Sequence, residues 1–160
     1  MTATTPLTST ARDILEEKNR EILSVPGETT IREALEKMVS RKVGAVVVKE
    51  GDQLVGIWTE RDLTRNTLEP GFDPARARVR DYMTRELKYA DAGQSPYELM
   101  DKFLGLRLRH LLIRDGGELI GLLSIGDVVR FALQARTREL QDLKEEVNWE
   151  YYEEWRSRRR

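Results

Sequence analysis

Hydrophobic and polar residues alternate along the chain in blocks that predict one series of elements twice. In the first series, the apolar residues from Ile31 to Val39 recur at helical spacing. The almost wholly apolar, β-branched run Val43–Val48 predicts a strand covered on both faces. The full order is strand, helix, strand, strand, helix, and the predicted elements fall at residues 22–25, 31–39, 43–48, 54–58 and 60–68.

The same series recurs 65 positions further along the chain. Each copy opens its first helix with a hydroxyl residue followed three positions later by glutamate, which is the spacing of a capping box. These pairs are Thr30 with Glu33 and Ser95 with Glu98. In the second copy the helix stripe, the two hairpin strands and the last helix fall at residues 99–104, 110–114, 118–123 and 124 onward. Such an internal repeat indicates a duplicated structural unit.

Both copies end on one motif, in which a glycine is followed by a hydroxyl residue three positions later and by an aspartate after three more. The motif comprises Gly56, Thr59 and Asp62 in the first copy and Gly121, Ser124 and Asp127 in the second. The hydroxyl residue is expected to cap the helix that carries the aspartate. The predicted fold class is α/β (α+β), with two β-α-β-β-α units packed by pseudo-twofold symmetry and a long C-terminal helix.

The segments ahead of the two copies match at a different offset. Arg12–Leu15 corresponds to Arg80–Met83, which places three additional residues in the first copy, within Glu16–Arg20. The predicted organisation is a flexible N-terminus, a first repeat, a linker, a second repeat and a helical arm, with bounds at 1–10, 11–70, 71–78, 79–135 and 136–160.

Composition narrows the classes of function. The 160 residues are 39% hydrophobic and 34% charged with a net charge of −1, so bulk electrostatics predicts no polyanionic partner. The chain has no cysteine, which excludes disulfides and thiolate ligands, and its single histidine lacks the clustered carboxylates of a metal site. No signal peptide or membrane-spanning run is found, so a cytoplasmic location is expected. No nucleophile–base pair or P-loop is evident, which predicts a protein that is not an enzyme.

The order of the elements, the motif at Gly56–Asp62 and Gly121–Asp127, and the entry sequence Val79–Thr84 resemble a tandem cystathionine-β-synthase (CBS) domain pair of the stand-alone bacterial or archaeal type. The resemblance covers residues 11–135. It implies clefts between two repeats that bind an adenine nucleotide, AMP, ADP or ATP, with S-adenosylmethionine as an alternative ligand. The implied role is regulatory, in energy sensing and signal transduction, without a catalytic cofactor.

The resemblance also implies that each cleft draws on both repeats. The first cleft would hold Thr59, Asp62, Met83, Thr84, Arg109 and His110, and the second would hold Leu15, Glu16, Gly44, Ala45, Ser124 and Asp127. Arg109 and His110 occupy the place of Gly44 and Ala45, so only the first cleft gains cationic donors for a phosphate. The first cleft is therefore expected to bind a charged nucleotide. The second is expected to be empty or to take a less anionic adenosine compound.

The repeated motif has chemistry that suits a nucleotide. An ionised carboxylate accepts both hydroxyls of a ribose cis-diol, and the helix dipole keeps Asp62 or Asp127 ionised. Backbone N–H groups beside Thr59 and Ser124 suit a phosphate. The same spacing is also an ordinary capping pattern, and that interpretation stays open. For Trp58 the structural interpretation, packing in the core, is favoured over base stacking.

Beyond Asp127 the chain reaches Arg160 without glycine or proline, which predicts a helical arm. Val147, Tyr151 and Trp155 fall on one face of this arm, and we expect such an aromatic stripe to dock on a partner surface. The favoured partner is the second subunit of a homodimer, and the alternatives are a different target protein or the chain's own domain. The basic end 156–160 is expected to be solvated. Nucleic-acid contact is not expected, because no recognition-helix motif occurs.

Two hypotheses of different classes follow. The first is a non-enzymatic sensor that binds an adenine nucleotide and relays binding as a conformational change. The second is a structural or protein-interaction module with vestigial clefts that acts through its C-terminal helix. Gly44 and Ala45 stand where a better-equipped cleft would carry polar groups, and they keep the second hypothesis open.

Overall fold

A computed structural model describes the backbone from Thr8 to Ser157 and the side chains as far as Gln141. The predicted aromatic stripe of Val147, Tyr151 and Trp155 and the basic end 156–160 lie outside the described side chains. Within the described range the elements are α1 (Ala11–Lys18), β1 (Ser24–Pro26), α2 (Ile31–Arg41), β2 (Ala45–Glu50), β3 (Gln53–Thr59), α3 (Glu60–Asn66), α4 (Val79–Tyr82), β4 (Tyr89–Asp91), α5 (Pro96–Gly105), β5 (His110–Asp115), β6 (Glu118–Ser124) and α6 (Ile125–Ser157).

These elements form two compact units. The central unit is Arg20–Tyr89, and the terminal unit joins the segment that ends at Asn19 to the segment that starts at Ala90. Each unit contains one three-stranded sheet, in the order β1-β2-β3 in the central unit and β4-β5-β6 in the terminal unit. The predicted α/β fold class is confirmed, because the order strand, helix, strand, strand, helix occurs twice and the last helix, α6, is long.

The two hairpins match each other in detail. β2 pairs with β3 and β5 pairs with β6, both antiparallel. Each hairpin carries a register shift at the equivalent position, after Val48 in one and after Ile113 in the other. At the turns Gly51 and Gly116 take φ angles of 61° and 55°, which favour glycine. The duplication therefore extends to the irregularities of the backbone, which families keep as functional or structural features.

Both predicted capping boxes are present. Thr30 with Glu33 opens α2, and Ser95 with Glu98 opens α5. In each box the hydroxyl oxygen accepts from the glutamate amide and the glutamate carboxylate accepts from the cap amide. These backbone hydrogen bonds lower the pKa of both glutamates. Both helices therefore begin where the spacing predicts.

Each unit has its own hydrophobic core. Trp58 is fully buried in the core of the central unit, where its indole N–H donates to Asn66 Oδ1 at 3.1 Å. Phe103, Leu123 and Ile14 belong to the core of the terminal unit. The structure thus places Trp58 in the core, as its structural interpretation predicted.

The short helices α1 and α4 complete the two units. α1 opens the first predicted repeat, 11–70, yet it belongs to the terminal unit. α4 opens the second predicted repeat, 79–135, and belongs to the central unit. Each unit therefore combines the sheet of one repeat with the opening helix of the other.

The segment 71–78, predicted as a linker, is tied to the start of α2. The Ile31 amide donates to the Ala77 carbonyl at 2.9 Å, and the Arg32 amide donates to the Pro74 carbonyl at 2.9 Å. Amides in the first turn of a helix have no partner within the helix. The segment supplies those partners and so forms part of the central unit.

The long helix α6 begins in the terminal unit, where it packs against α5, with Val128 buried. Further along, Leu133 and Leu140 are 64% and 58% exposed. No helix between Thr8 and Ser157 is long and apolar enough to cross a membrane. The helical part of the predicted arm is therefore present, and it exposes apolar side chains.

Candidate functional site

In the central unit, Thr59 and Asp62 form a capping box at the start of α3. Asp62 Oδ2 accepts hydrogen bonds from the Thr59 amide and the Thr59 hydroxyl, both at 2.9 Å. The other carboxylate oxygen, Oδ1, lies 3.6 Å from the Arg65 guanidinium, which is beyond hydrogen-bond range. The Arg65 side chain is 69% exposed, so this ion pair is weak. A ligand that donates hydrogen bonds could therefore compete for Oδ1.

Gly44 and Ala45 border this box in the same unit. The Gly44 carbonyl accepts from the Glu60 amide at 3.1 Å, and Ala45 is the strand partner of Thr59. Both residues thus lie beside the hydroxyl residue of their own repeat. The resemblance assigns them to the site of Asp127, which belongs to the other unit, and that assignment stays a prediction.

Met83 lies against Gly56, the glycine of the first motif. A Cβ atom on Gly56 would lie 2.7 Å from Met83 Cγ and closer still to the sulfur. A glycine at this position of β3 therefore permits the close approach of Met83. The next residue, Thr84, pairs with Ile57 through backbone hydrogen bonds of 2.8 and 3.0 Å. These two predicted site residues accordingly lie beside β3, just ahead of Thr59.

Leu15 has the same relation to Gly121 in the terminal unit. A Cβ atom on Gly121 would lie 2.5 Å from Leu15 Cδ1 and 3.0 Å from its Cγ. The neighbouring Glu16 is exposed. The two motif glycines therefore have the same role, which is to let an apolar side chain, Leu15 of α1 or Met83 at the end of α4, pack on the strand.

Arg109 and His110 border Ser124, as Gly44 and Ala45 border Thr59. The Arg109 carbonyl accepts from the Ile125 amide at 3.0 Å, and His110 is the strand partner of Ser124. Their predicted assignment to the site of Asp62 joins residues of two units and stays a prediction. Among the side chains described, no three histidines and carboxylates come together as a cation site requires.

Asp127 differs from Asp62 in having a lysine partner. Its Oδ2 atom accepts from the Ser124 amide at 2.8 Å and from Lys18 Nζ at 2.8 Å. Lys18 Nζ also donates to the Leu122 carbonyl at 2.8 Å. The Lys18 and Asp127 side chains are 21% and 13% exposed, so solvent screens this pair less than a surface pair. Lys18 thus links the Asp127 carboxylate to the backbone of β6.

These contacts set the protonation of Asp127. Burial by itself raises the pKa of Asp127. Hydrogen bonds from Lys18 and Ser124, together with the charge of Lys18, lower this pKa by more than burial raises it. The net effect is a pKa below the ordinary value of 3.8. The carboxylate is therefore ionised throughout the neutral range.

Acid titration should reveal the contribution of this ion pair to stability. Because the folded pKa of Asp127 is depressed, the stabilisation is present above the unfolded pKa of 3.8 and is lost as the pH falls through the folded pKa. We expect Lys18→Met to lose less stability than the wild type between about pH 5 and about pH 2.5, measured by urea unfolding. Lys102→Met, which removes a lysine bonded to Gln94, should behave as the wild type. Equal losses in all three proteins would contradict the role of the ion pair.

Sequence patterns did not identify Lys18 as a residue of this site. The sequence offers one sign that this segment is special. Three additional residues within Glu16–Arg20 follow Arg12–Leu15 and have no counterpart after Arg80–Met83. Without coordinates, nothing indicates that the inserted residues continue α1 by a further turn. The structure shows that they do, and Lys18 lies in that turn.

The family comparison agrees with the duplicated architecture. The model of the CBS domain matches residues 11–69 and 79–134. Among curated relatives, the mitochondrial CBS domain-containing protein CBSX3 of Arabidopsis thaliana is 35% identical over 153 residues, which are 89% of this chain and 74% of that protein.

Solved structures show the same similarity. A protein with CBS domains from Burkholderia ambifaria MC40-6, described as a candidate signal-transduction protein, matches with a TM-score of 0.74 at 35% identity, over 79% of this chain and 95% of that chain. CBSX2 in complex with AMP matches with a TM-score of 0.64 at 26% identity, over 79% of this chain and 98% of that chain.

Proposed function

The chain belongs to the CBS domain family, and from that premise we propose that it is a non-enzymatic regulatory module that binds an adenine nucleotide. The observation that carries the proposal is the box of a hydroxyl residue and an aspartate that both repeats place at the start of a helix. The similarity to CBSX2, a protein solved with AMP, supports the choice of ligand class.

The box around Asp62 is proposed as the main nucleotide site. Its carboxylate is ordered by Thr59 through one oxygen, while the other oxygen lies 3.6 Å from the exposed Arg65. A ribose cis-diol would donate to this carboxylate in charge-assisted hydrogen bonds, which are the stronger kind. Arg109 and His110 are the residues proposed for the phosphate, on the resemblance described above.

Relay of the binding signal is proposed to involve α6. This helix starts immediately after Ser124, and Asp127 lies in its first turn. A rigid helix transmits a displacement of its first turn along its length. The Arg109 carbonyl accepts from the amide of Ile125, the first residue of α6, so the 33 residues of this helix connect a residue proposed for the phosphate to the C-terminal arm.

A ligand panel tests the proposal. Thermal unfolding should shift upward with AMP, ADP, ATP or S-adenosylmethionine, because a ligand that binds only the folded state stabilises it. GMP serves as the control for the base. If none of the adenosine compounds shifts the transition at millimolar concentration, the chain is better described by the second hypothesis, an interaction module with vestigial clefts.

We also propose that the chain forms a homodimer. Apolar side chains are exposed at equivalent positions of the repeats, with Val39 and Leu104 at 75% and 71% and Leu68 and Leu133 at 84% and 64%. Exposed apolar surface that recurs in this way is typical of an interaction face. Light scattering should give the mass of a dimer for the wild type and of a monomer for the double variant Leu104→Glu with Leu133→Glu. The single variant Gln134→Glu should stay a dimer, and a monomeric wild type would contradict the proposal.

A further inference from the structure

The short helices α1 and α4 differ in length at their C-terminal ends. Leu15 and Met83 occupy equivalent places, each against the glycine of a motif. α4 ends at Tyr82, whereas α1 continues as far as Lys18. Residues three apart on a helix lie on the same face, so Lys18 follows Leu15 toward β6.

The additional turn of α1 changes which group donates a hydrogen bond to the strand that carries the motif glycine. In the central unit the backbone amide of Thr84 donates to the Ile57 carbonyl at 2.8 Å. In the terminal unit the equivalent carbonyl, that of Leu122, accepts from Lys18 Nζ at 2.8 Å. A charged side chain has thus taken the place of a backbone N–H group, and it brings its charge to the aspartate of the motif.

The same ammonium group bonds one oxygen, Oδ2, of the Asp127 carboxylate. Lys18 Nζ lies 2.8 Å from Asp127 Oδ2, and both side chains are partly buried. A ribose diol approaches an aspartate as a donor, and so does an ammonium group. A diol that engages both oxygens of the carboxylate needs Oδ2, where the charged donor makes the stronger hydrogen bond, so the hydroxyls would have to displace it. Displacement would leave the lysine without its carboxylate in a partly buried place, which adds a desolvation cost.

At Asp62 the equivalent oxygen, Oδ2, accepts from the Thr59 hydroxyl, which is a neutral and therefore weaker competitor than an ammonium group. Arg65 lies 3.6 Å away on the same helix and is 69% exposed. Moving an exposed guanidinium aside costs little, since surface ion pairs contribute little to stability. The two repeats therefore carry the same motif, but the aspartate of the first is more accessible to a ribose than the aspartate of the second.

We propose that Lys18 closes the Asp127 carboxylate to ribose, so that Lys18 determines how many nucleotides one chain binds. This inference rests on the proposed function of the motif. Lys18 is a specificity-determining residue in this account: it denies nucleotide to the box of Asp127 and so leaves the box of Asp62 as the nucleotide site.

The test is the number of AMP molecules bound per chain, measured by isothermal titration calorimetry. Lys18→Met keeps the aliphatic part of the side chain and removes the ammonium group. We expect this variant to bind one more AMP per chain than the wild type. Lys18→Arg retains a cation and should bind the wild-type number. Lys102→Met, a matched loss of a part-buried lysine in the same unit, should also bind the wild-type number.

The outcomes separate this inference from the proposed function. The number bound by the wild type tests the proposed function, and the difference between Lys18→Met and the wild type tests the role of Lys18. Equal numbers in the two proteins overturn the inference, whatever that number is. A lower number in Lys18→Met also overturns it, because Lys18 would then be a ligand contact. Circular dichroism of each variant establishes that the fold is retained.

Discussion

Gly56→Ala is expected to lower the free energy of unfolding by about 1–3 kcal/mol, as added atoms do in a packed interior. The new methyl group would lie 2.7 Å from Met83 Cγ and 3.2 Å from Met83 Cβ. Met83 is only 9% exposed, and its Cβ is fixed to the backbone, so the side chain has little freedom to move away. Urea unfolding followed by circular dichroism measures the change.

A double-mutant cycle gives the cause of that loss. In a Met83→Ala background, Gly56→Ala should cost less than about 0.5 kcal/mol, because the atoms beyond Met83 Cβ are gone. Gly93→Ala is the matched control, since a Cβ atom at Gly93 would have no heavy atom within 4 Å. If Gly56→Ala destabilises the protein equally in both backgrounds, close packing of Met83 is not the reason for glycine in the motif.

Asp62→Asn is expected to weaken the binding of AMP by about ten- to a hundredfold, which corresponds to the loss of a charge-assisted hydrogen bond of about 1.5–3 kcal/mol. Asparagine keeps the shape of the side chain and one acceptor oxygen, so the Thr59 amide retains a partner. The variant loses the negative charge that holds the ribose hydroxyls. Competition against a fluorescent AMP analogue measures the change in Kd.

The control for Asp62→Asn is Asp52→Asn, an identical change at an exposed residue of the β2–β3 turn. It should leave the affinity at the wild-type value. Unchanged affinity in Asp62→Asn would mean that AMP binds without this carboxylate. The capping interpretation of the motif would then be sufficient for the central unit.

Local signals in the sequence predicted the elements well. Thr30 with Glu33 and Ser95 with Glu98 mark the starts of α2 and α5 because capping depends on residues three positions apart. The hairpins were predictable for a similar reason, since a glycine turn lies between two apolar runs. Repetition of these signals at one offset then indicated the duplicated architecture.

The placement of α1 and α4 was not predictable from such signals. Nothing in Arg12–Leu15 or Arg80–Met83 indicates which sheet each helix will contact. Both segments are short and match each other closely, so either could serve either unit. Only long-range packing, such as that of Leu15 on Gly121, assigns them. The resemblance to a family supplied the expectation that the segments cross.

The lysine at Asp127 shows a further limit. Charge and spacing made both aspartates equal candidates, and the sequence ranked them by Arg109 and His110. The structure adds a different asymmetry, the ion pair with Lys18, which arises 109 residues away in the chain. Contacts of such separation depend on the fold, and a motif defined over seven residues cannot report them.

The most direct test of nucleotide binding at Asp62 is a crystal structure of the wild-type protein grown with AMP. We expect AMP with its ribose hydroxyls within hydrogen-bond distance of the Asp62 carboxylate, and Lys18 still bonded to Asp127. AMP bound with its ribose on Asp127 instead, or crystals grown at saturating AMP in which Asp62 contacts only Thr59 and Arg65, would contradict the account.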